Sequence, residues 1–187
     1  MISHVGPWQP TRRPRQTGSA AEAPKGGHPV PQVFVGSAKA NKVDRKGRVS
    51  VPAAFRKAVA GQEFHGIYVY AHHLRPALVA FGEERMAKYI NDLEQLDEFS
   101  EEYEELAQVV FSDAEPLSFD GEGRIMLPKH QMEHAGIAEA AAFVGRGPTF
   151  EIMEPETYAE QREAARERAA QKGIGPKKQA PKAGADR

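Results

Sequence analysis

Residues Val43–Pro52 (VDRKGRVSVP) and Phe119–Pro128 (FDGEGRIMLP) are two versions of one ten-residue segment, offset by 76 positions. Asp44 falls on Asp120, Gly47 on Gly123, Arg48 on Arg124 and Pro52 on Pro128, while Val49/Ile125 and Val51/Leu127 keep their apolar character. Each copy is followed by a short run of helix formers that stops at a glycine, Gly61 in the first and Gly136 in the second. Identities at fixed spacing with matching surroundings indicate an internal duplication. A unit this small cannot close a core alone, because a single hairpin is marginal in water and its open edges invite pairing. The two copies must bury each other. The predicted fold class is therefore α+β, mainly β: a pseudo-symmetric barrel in which hairpins of two tandem repeats interleave, with flanking helices.

Alternation and turn signals place strands at Val33–Gly36, Lys39–Val43, Arg48–Val51, Gly66–Tyr70 and Leu78–Phe81. The second half repeats the pattern at Leu117–Phe119, Arg124–Leu127, Ala141–Val144 and Thr149–Met153. Ala53–Ala60 reads as a short helix, as does the stretch from Pro128 to Ala135. Between the halves, apolar residues of Glu83–Val110 recur at three- and four-residue spacing and predict two amphipathic helices, the second capped by Ser100. A last helix opens at Pro155. The expected organisation is an extension without regular structure at 1–31, a first repeat at 32–82, connecting helices at 83–113, a second repeat at 114–158, and a helix with a basic tail at 159–187.

The formal net charge is only −1, but the charge is segregated. Lys42 to Lys57 holds six basic residues against one acid, whereas Glu83 to Glu115 holds two against twelve. The absence of cysteine rules out disulfides, thiolate metal sites and thiol nucleophiles. With no stretch near the ~20 apolar residues of a membrane span and no signal-peptide core, the chain is expected to be soluble and cytoplasmic.

The paired motifs, Asp44–Pro52 and Asp120–Pro128, together with His134–Ile137 (HAGI) and Phe143–Ile152 (FVGRGPTFEI), resemble the MraZ family of AbrB-like swapped-hairpin barrels over about Val33 to Tyr158. The resemblance implies a DNA-binding transcriptional regulator of the division and cell-wall gene cluster. It also implies assembly into a homo-oligomeric ring that reads direct repeats in its own promoter, at the nucleoid. The chain departs from the family pattern at Met132, where an arginine is common, and in the acidic segment Ser100–Ala114.

Read as chemistry, Lys42, Asp44, Arg45, Lys46, Gly47 and Arg48 form a strand, a tight turn and a returning strand that push cations out at one edge. Such a ribbon fits a groove of double-stranded DNA. Arg48, or Arg45 beside it, is placed to donate two hydrogen bonds to a guanine, while Lys42, Lys46, Arg56 and Lys57 would meet phosphates. Arg124 is the counterpart in the second copy. The plainer reading is that Asp44–Arg48 and Asp120–Arg124 are ion pairs that fix their turns, with Gly47, Gly123, Pro52 and Pro128 as structural punctuation; the two readings are compatible. From Ser118 to Glu133 there are two basic residues against three acids, so the first copy should dominate binding.

His130 and His134 match a His-x-x-Glu-His pattern, but no third ligand in a helical context follows, so no metal is expected. Nor is there a nucleophile triad or a phosphate-cradling glycine loop. No cofactor, small-molecule substrate or enzymatic activity is expected. The competing reading is an antitoxin-like interaction module whose helices bind a protein and whose DNA contact is secondary.

Overall fold

The computed structural model describes residues 32–174. The expected extension at 1–31 and the tail beyond residue 174 lie outside the described residues. In chain order the elements are β1 (Ser37–Lys42), β2 (Arg48–Ser50), α1 (Ala53–Ala58), β3 (Gly66–Ala71), β4 (Leu78–Phe81), α2 (Glu83–Glu94) and α3 (Glu101–Leu106). A π-helical stretch at Ala107–Ser112 leads to β5 (Glu115–Ser118), β6 (Arg124–Met126), α4 (Lys129–His134), β7 (Ala140–Gly145), β8 (Phe150–Met153) and α5 (Pro155–Gln171).

All strand pairing is antiparallel, in a six-stranded sheet of order β1-β7-β8-β4-β3-β5 and a separate two-stranded ribbon, β2-β6. Strands β1–β4 come from the first half of the chain and β5–β8 from the second, and the pairing interleaves them. β1 lies on β7, β3 on β5, β4 on β8 and β2 on β6. Among the described residues, β3-β4 and β7-β8 are the strand ladders formed within one half.

The expectation of a barrel is corrected on one point: the strands do not close. β1 and β5 are the edges of an open sheet. The chain leaves each edge at a tight turn, after Val43 and after Phe119, and spends its next strand on the ribbon instead. Pro52 and Pro128 follow the ribbon strands and lack the N–H that further pairing would use. The ribbon is tied back by the Asn41 side chain, which donates to the Ser50 carbonyl at 2.6 Å, and by a bridge between Val43 and Val49. Two shorter differences accompany this one. The Val33–Gly36 run makes only a single bridge, Phe34 to Gly147. Helix α1 stops at Ala58, short of Gly61, and Val59 leaves helical geometry with its side chain buried in the core.

The sheet is covered on both faces. On one, Val49 and Ile125 from the ribbon and Phe55 from α1 pack with Ile67, Val69, Leu78, Ala80, Phe143, Phe150 and Ile152. Phe34, Phe55 and Phe150 meet there with centroids 4.8–5.6 Å apart. On the other, Tyr70, Val79 and Phe81 meet Met86 and Tyr89 of α2 and Leu106 and Val110 beyond it. Ala142, Val144 and Met153 meet Tyr158 of α5. Hence β4 and β8 are buried at every position rather than at every second one. α3 starts as its sequence predicts, with the Ser100 hydroxyl accepting from the Tyr103 N–H at 3.1 Å. α5 starts at Pro155, capped by the Glu154 carboxylate. No helix of the described residues is long and apolar enough to cross a membrane.

Ile125 is 1% exposed and stands opposite Val49 at the one place where the ribbon strands pair and plug the core. Ile125→Ala is expected to lower unfolding free energy by about 2–5 kcal/mol, since little can collapse around so central a void. Urea denaturation of the two proteins checks this; an unchanged midpoint would mean that the ribbon does not close the core.

Candidate nucleic-acid interface

The two Asp-x-x-Gly-Arg segments fold into the same turn. In the first, the Gly47 N–H donates to the Asp44 carbonyl at 2.9 Å and the Asp44 N–H to the Arg48 carbonyl at 3.0 Å. The Asp44 carboxylate fills the turn from inside: Oδ1 accepts from the N–H groups of Lys46 (2.8 Å) and Arg48 (3.0 Å), and Oδ2 accepts from Arg48 Nε (2.7 Å). In the second, Asp120 Oδ1 accepts from the N–H groups of Glu122 and Arg124, both at 2.9 Å, and Oδ2 from Arg124 Nε at 2.7 Å. A short acceptor that can bond its own backbone two residues on is what aspartate supplies in a turn. Glycine is required as well. Gly47 and Gly123 have φ of 81° and 73°, and a Cβ at Gly47 would stand 2.8 Å from the Leu127 carbonyl oxygen.

These bonds hold both carboxylates in the ionised form. The Arg48 N–H, helped by the Arg48 side chain and the Lys46 N–H, lowers Asp44 from 3.8 to about 2. The Arg124 N–H and side chain do the same for Asp120, also to about 2. The Arg124 guanidinium is pushed up in turn, chiefly by its hydrogen bond to Asp120, and the Asp44 charge adds to the effect. The two turns therefore lie within electrostatic reach of one another.

Ribbon register decides which side chains share a face. Arg48 pairs with Met126, Val49 with Ile125 and Ser50 with Arg124. Val49 and Ile125 point into the core, so Arg48, Ser50, Arg124 and Met126 stand together on the outer face. Arg45 and Lys46 are exposed in the first turn, and Lys42 is exposed at the end of β1. Sequence reading overlooked Met126, which is 60% exposed. The signal was present: strict alternation through Arg124–Met126 puts it beside Arg48 as soon as the cross-repeat pairing is known.

The copies are not equivalent. Arg48 engages Asp44 through Nε alone, leaving its two terminal nitrogens without a partner among the described residues. Arg124 gives Nη1 to Glu122 at 2.6 Å in addition to its bond with Asp120. Arg56 is partly committed to the fold. Its Nε donates to the Val51 carbonyl at 3.1 Å, and its guanidinium lies over Gly123 so closely that a Cβ there would overlap it. By the 76-residue offset its counterpart is Met132, whose sulfur lies over Gly47 less closely, 3.3 Å from where a Cβ would stand. Each repeat thus braces the other's turn from its short helix, once with a cation and once with a thioether. Lys57 is exposed on α1. His130 and His134 face different partners, Glu115 at 2.9 Å and the carbonyls of His72 and Arg75 at 3.1 and 3.2 Å. Among the described residues no three His, Asp or Glu side chains are grouped to hold a metal ion.

Comparison with known proteins agrees with the motif reading. The family model described as "MraZ protein, putative antitoxin-like" matches residues 110–173. A protein named Transcriptional regulator MraZ from Rickettsia bellii (strain OSU 85-389) is 38% identical over 142 residues, 76% of this chain and 95% of that protein. One of the same name from Gluconobacter oxydans (strain 621H) is 41% identical over 140 residues, covering 73% of this chain and 85% of its own. Another, from Rickettsia canadensis (strain McKiel), is 43% identical over 135 residues, covering 72% and 90%.

The lowered carboxylates make an acid-sensitive stabilisation. Because both acidities are stronger in the folded chain, the contribution is present above about pH 4 and is lost as pH falls from 3.8 toward 2. An Asp44→Asn, Asp120→Asn double variant should be less stable at neutral pH and should show a flatter decline in that acid window. Urea midpoints measured from about pH 5 to about pH 2 provide the test; parallel declines in the two proteins would remove the aspartates as its cause.

Proposed function

The chain belongs to the MraZ family, and from that premise we propose that it is a sequence-specific, DNA-binding transcriptional regulator that reads promoter DNA with the outer face of the β2-β6 ribbon. The observation that carries this reading is the state of Arg48. Its Nε is fixed by Asp44 while its terminal nitrogens are unengaged among the described residues, on an exposed two-stranded ribbon flanked by Lys42, Arg45 and Lys46.

A two-stranded ribbon fits the major groove, which is about 12 Å wide, and a guanidinium oriented by a carboxylate behind it presents two parallel donors to guanine O6 and N7. Lys42, Arg45, Lys46 and Lys57 neutralise phosphates and set the register. Met126, apolar and exposed beside Arg48, suits a thymine methyl. Arg124 contributes less, because Glu122 and Asp120 share its guanidinium. Arg56 acts mainly as the strut of the second turn. Asp44 and Asp120 orient the arginines and do not touch DNA, since ionised carboxylates repel phosphate.

We read the interleaved strands as the AbrB-like swapped-hairpin arrangement, here with its barrel left open. One patch of this size binds weakly at physiological salt, and a homo-oligomeric ring that sets several patches on direct repeats gains affinity by avidity. On the family resemblance, the target is the promoter of the division and cell-wall gene cluster containing the chain's own gene, with the protein acting in the cytoplasm at the nucleoid. The antitoxin-like description of the matching family model favours a second reading, in which the acidic helices α2 and α3 engage a protein and DNA binding is subsidiary.

Fluorescence anisotropy on the chain's own upstream DNA and on a scrambled duplex, each at two salt concentrations, separates these readings. Arg48→Ala should cost about 1–3 kcal/mol on the native duplex and little on the scrambled one. Lys46→Ala should weaken both and lower the salt slope by about one. Equal, weak binding of the unaltered protein to both duplexes would overturn the DNA-reading proposal in favour of the protein-binding module.

A further inference from the structure

Away from the ribbon, α5 lies against β7 and β1, and a cavity of about 780 Å³ opens beside it. Its lining combines apolar surface from Val144 and Tyr158 with the guanidinium groups of Arg75, Arg146, Arg162 and Arg166. Arg75 and Arg146 share one carboxylate, that of the buried Glu151, at 2.5 and 2.7 Å. Arg162 and Arg166 stand four apart on α5 and, among the described residues, neither has an ion-pair partner. Like charges at that spacing weaken a helix. The cavity is thus a cleft with apolar lining and guanidinium groups at its rim, two of which have no ion-pair partner among the described residues.

The complementary shape stands elsewhere on the same chain. Phe99, between α2 and α3, is 88% exposed, the most exposed of the large apolar side chains among the described residues. It is presented by an ordered turn: the Phe99 N–H donates to Asp97 Oδ1 at 3.0 Å, and the Ser100 N–H to the Asp97 carbonyl at 2.8 Å. Asp97, Glu98, Glu101 and Glu102 surround it in sequence. An aromatic anchor ringed by carboxylates matches an apolar cleft rimmed by arginines in both polarity and charge.

We propose that Phe99 and its flanking carboxylates dock into the arginine cleft beside α5 of a second copy of this chain. Phosphate could satisfy the arginines but would leave both the apolar lining and Phe99 in water. Because knob and cleft are different surfaces, the contact is heterologous: every protomer offers one of each, so subunits add head to tail and close into a ring when the rotation permits. The inference rests on the proposed homo-oligomeric state and gives it an interface.

Light scattering after size exclusion tests it on the full chain, with circular dichroism to verify folding. Phe99→Ala alone and Arg162→Glu with Arg166→Glu should each reduce the wild-type assembly to single protomers at a concentration where the wild type is assembled. An equal mixture of the two should then have the mass of two protomers, because one intact knob meets one intact cleft. Folded variants that keep the wild-type mass, or a mixture that stays at one protomer, would overturn the interface while leaving oligomerisation standing. A wild-type chain that is itself a single protomer would overturn the oligomeric reading and the interface together.

Discussion

The structure depends on strand pairing between the two halves of this chain, since within the first half β1 and β2 are tied together by little more than one bridge, Val43 to Val49, and the Asn41–Ser50 bond. β1 and β2 find ladder partners only in β7 and β6, and β5 finds its partner only in β3. The ribbon strands are three residues long and would not persist in water as an isolated pair. They are held because Val49 and Ile125 beneath them are buried among side chains of both halves. The face carrying Arg48 and Arg124 is therefore a product of the whole fold, and a change that loosens one half should be felt at the other half's turn.

Within that frame each turn separates two jobs that a charged hairpin must do. The aspartate satisfies backbone N–H groups that would otherwise be unpaired and fixes the arginine through Nε, so orientation is set before any ligand arrives. The exposed ion pair itself adds little to stability; the stabilisation comes chiefly from the carboxylate's bonds to backbone N–H groups, and the pair contributes geometry. Duplication then let the copies diverge. The first turn carries Arg45 and Lys46 where the second carries Gly121 and Glu122. Arg56 braces one turn where Met132 braces the other. The positive charge is thereby concentrated on the first copy without disturbing the shared scaffold.

Much of this was legible in the residues. The repeat, the two turns, the Ser100 cap and the start of α5 at Pro155 all follow from local chemistry, which acts over a few residues and leaves its mark in sequence. The openness of the sheet was not legible, because closure depends on whether two distant edges meet. The full burial of β4 and β8 was obscured for a related reason. Their second face is covered by α2 and α5, and a strand covered on both sides shows no alternation. That Arg56 also braces the second turn was hidden because the glycine it covers lies 67 residues away.

Sequence by itself determined that two copies of an Asp-x-x-Gly-Arg turn exist, that each needs glycine and aspartate where they stand, and that basic and acidic charge are segregated along the chain. These are matters of backbone conformation and short-range hydrogen bonding. Tertiary structure alone decided which strand of one copy lies on which strand of the other, that the sheet stays open, that Met126 stands beside Arg48, and that Arg48 keeps its terminal nitrogens unengaged among the described residues while Arg124 gives one of its own to Glu122. Those outcomes depend on contacts between residues far apart in the chain, and such contacts are set only when the core packs.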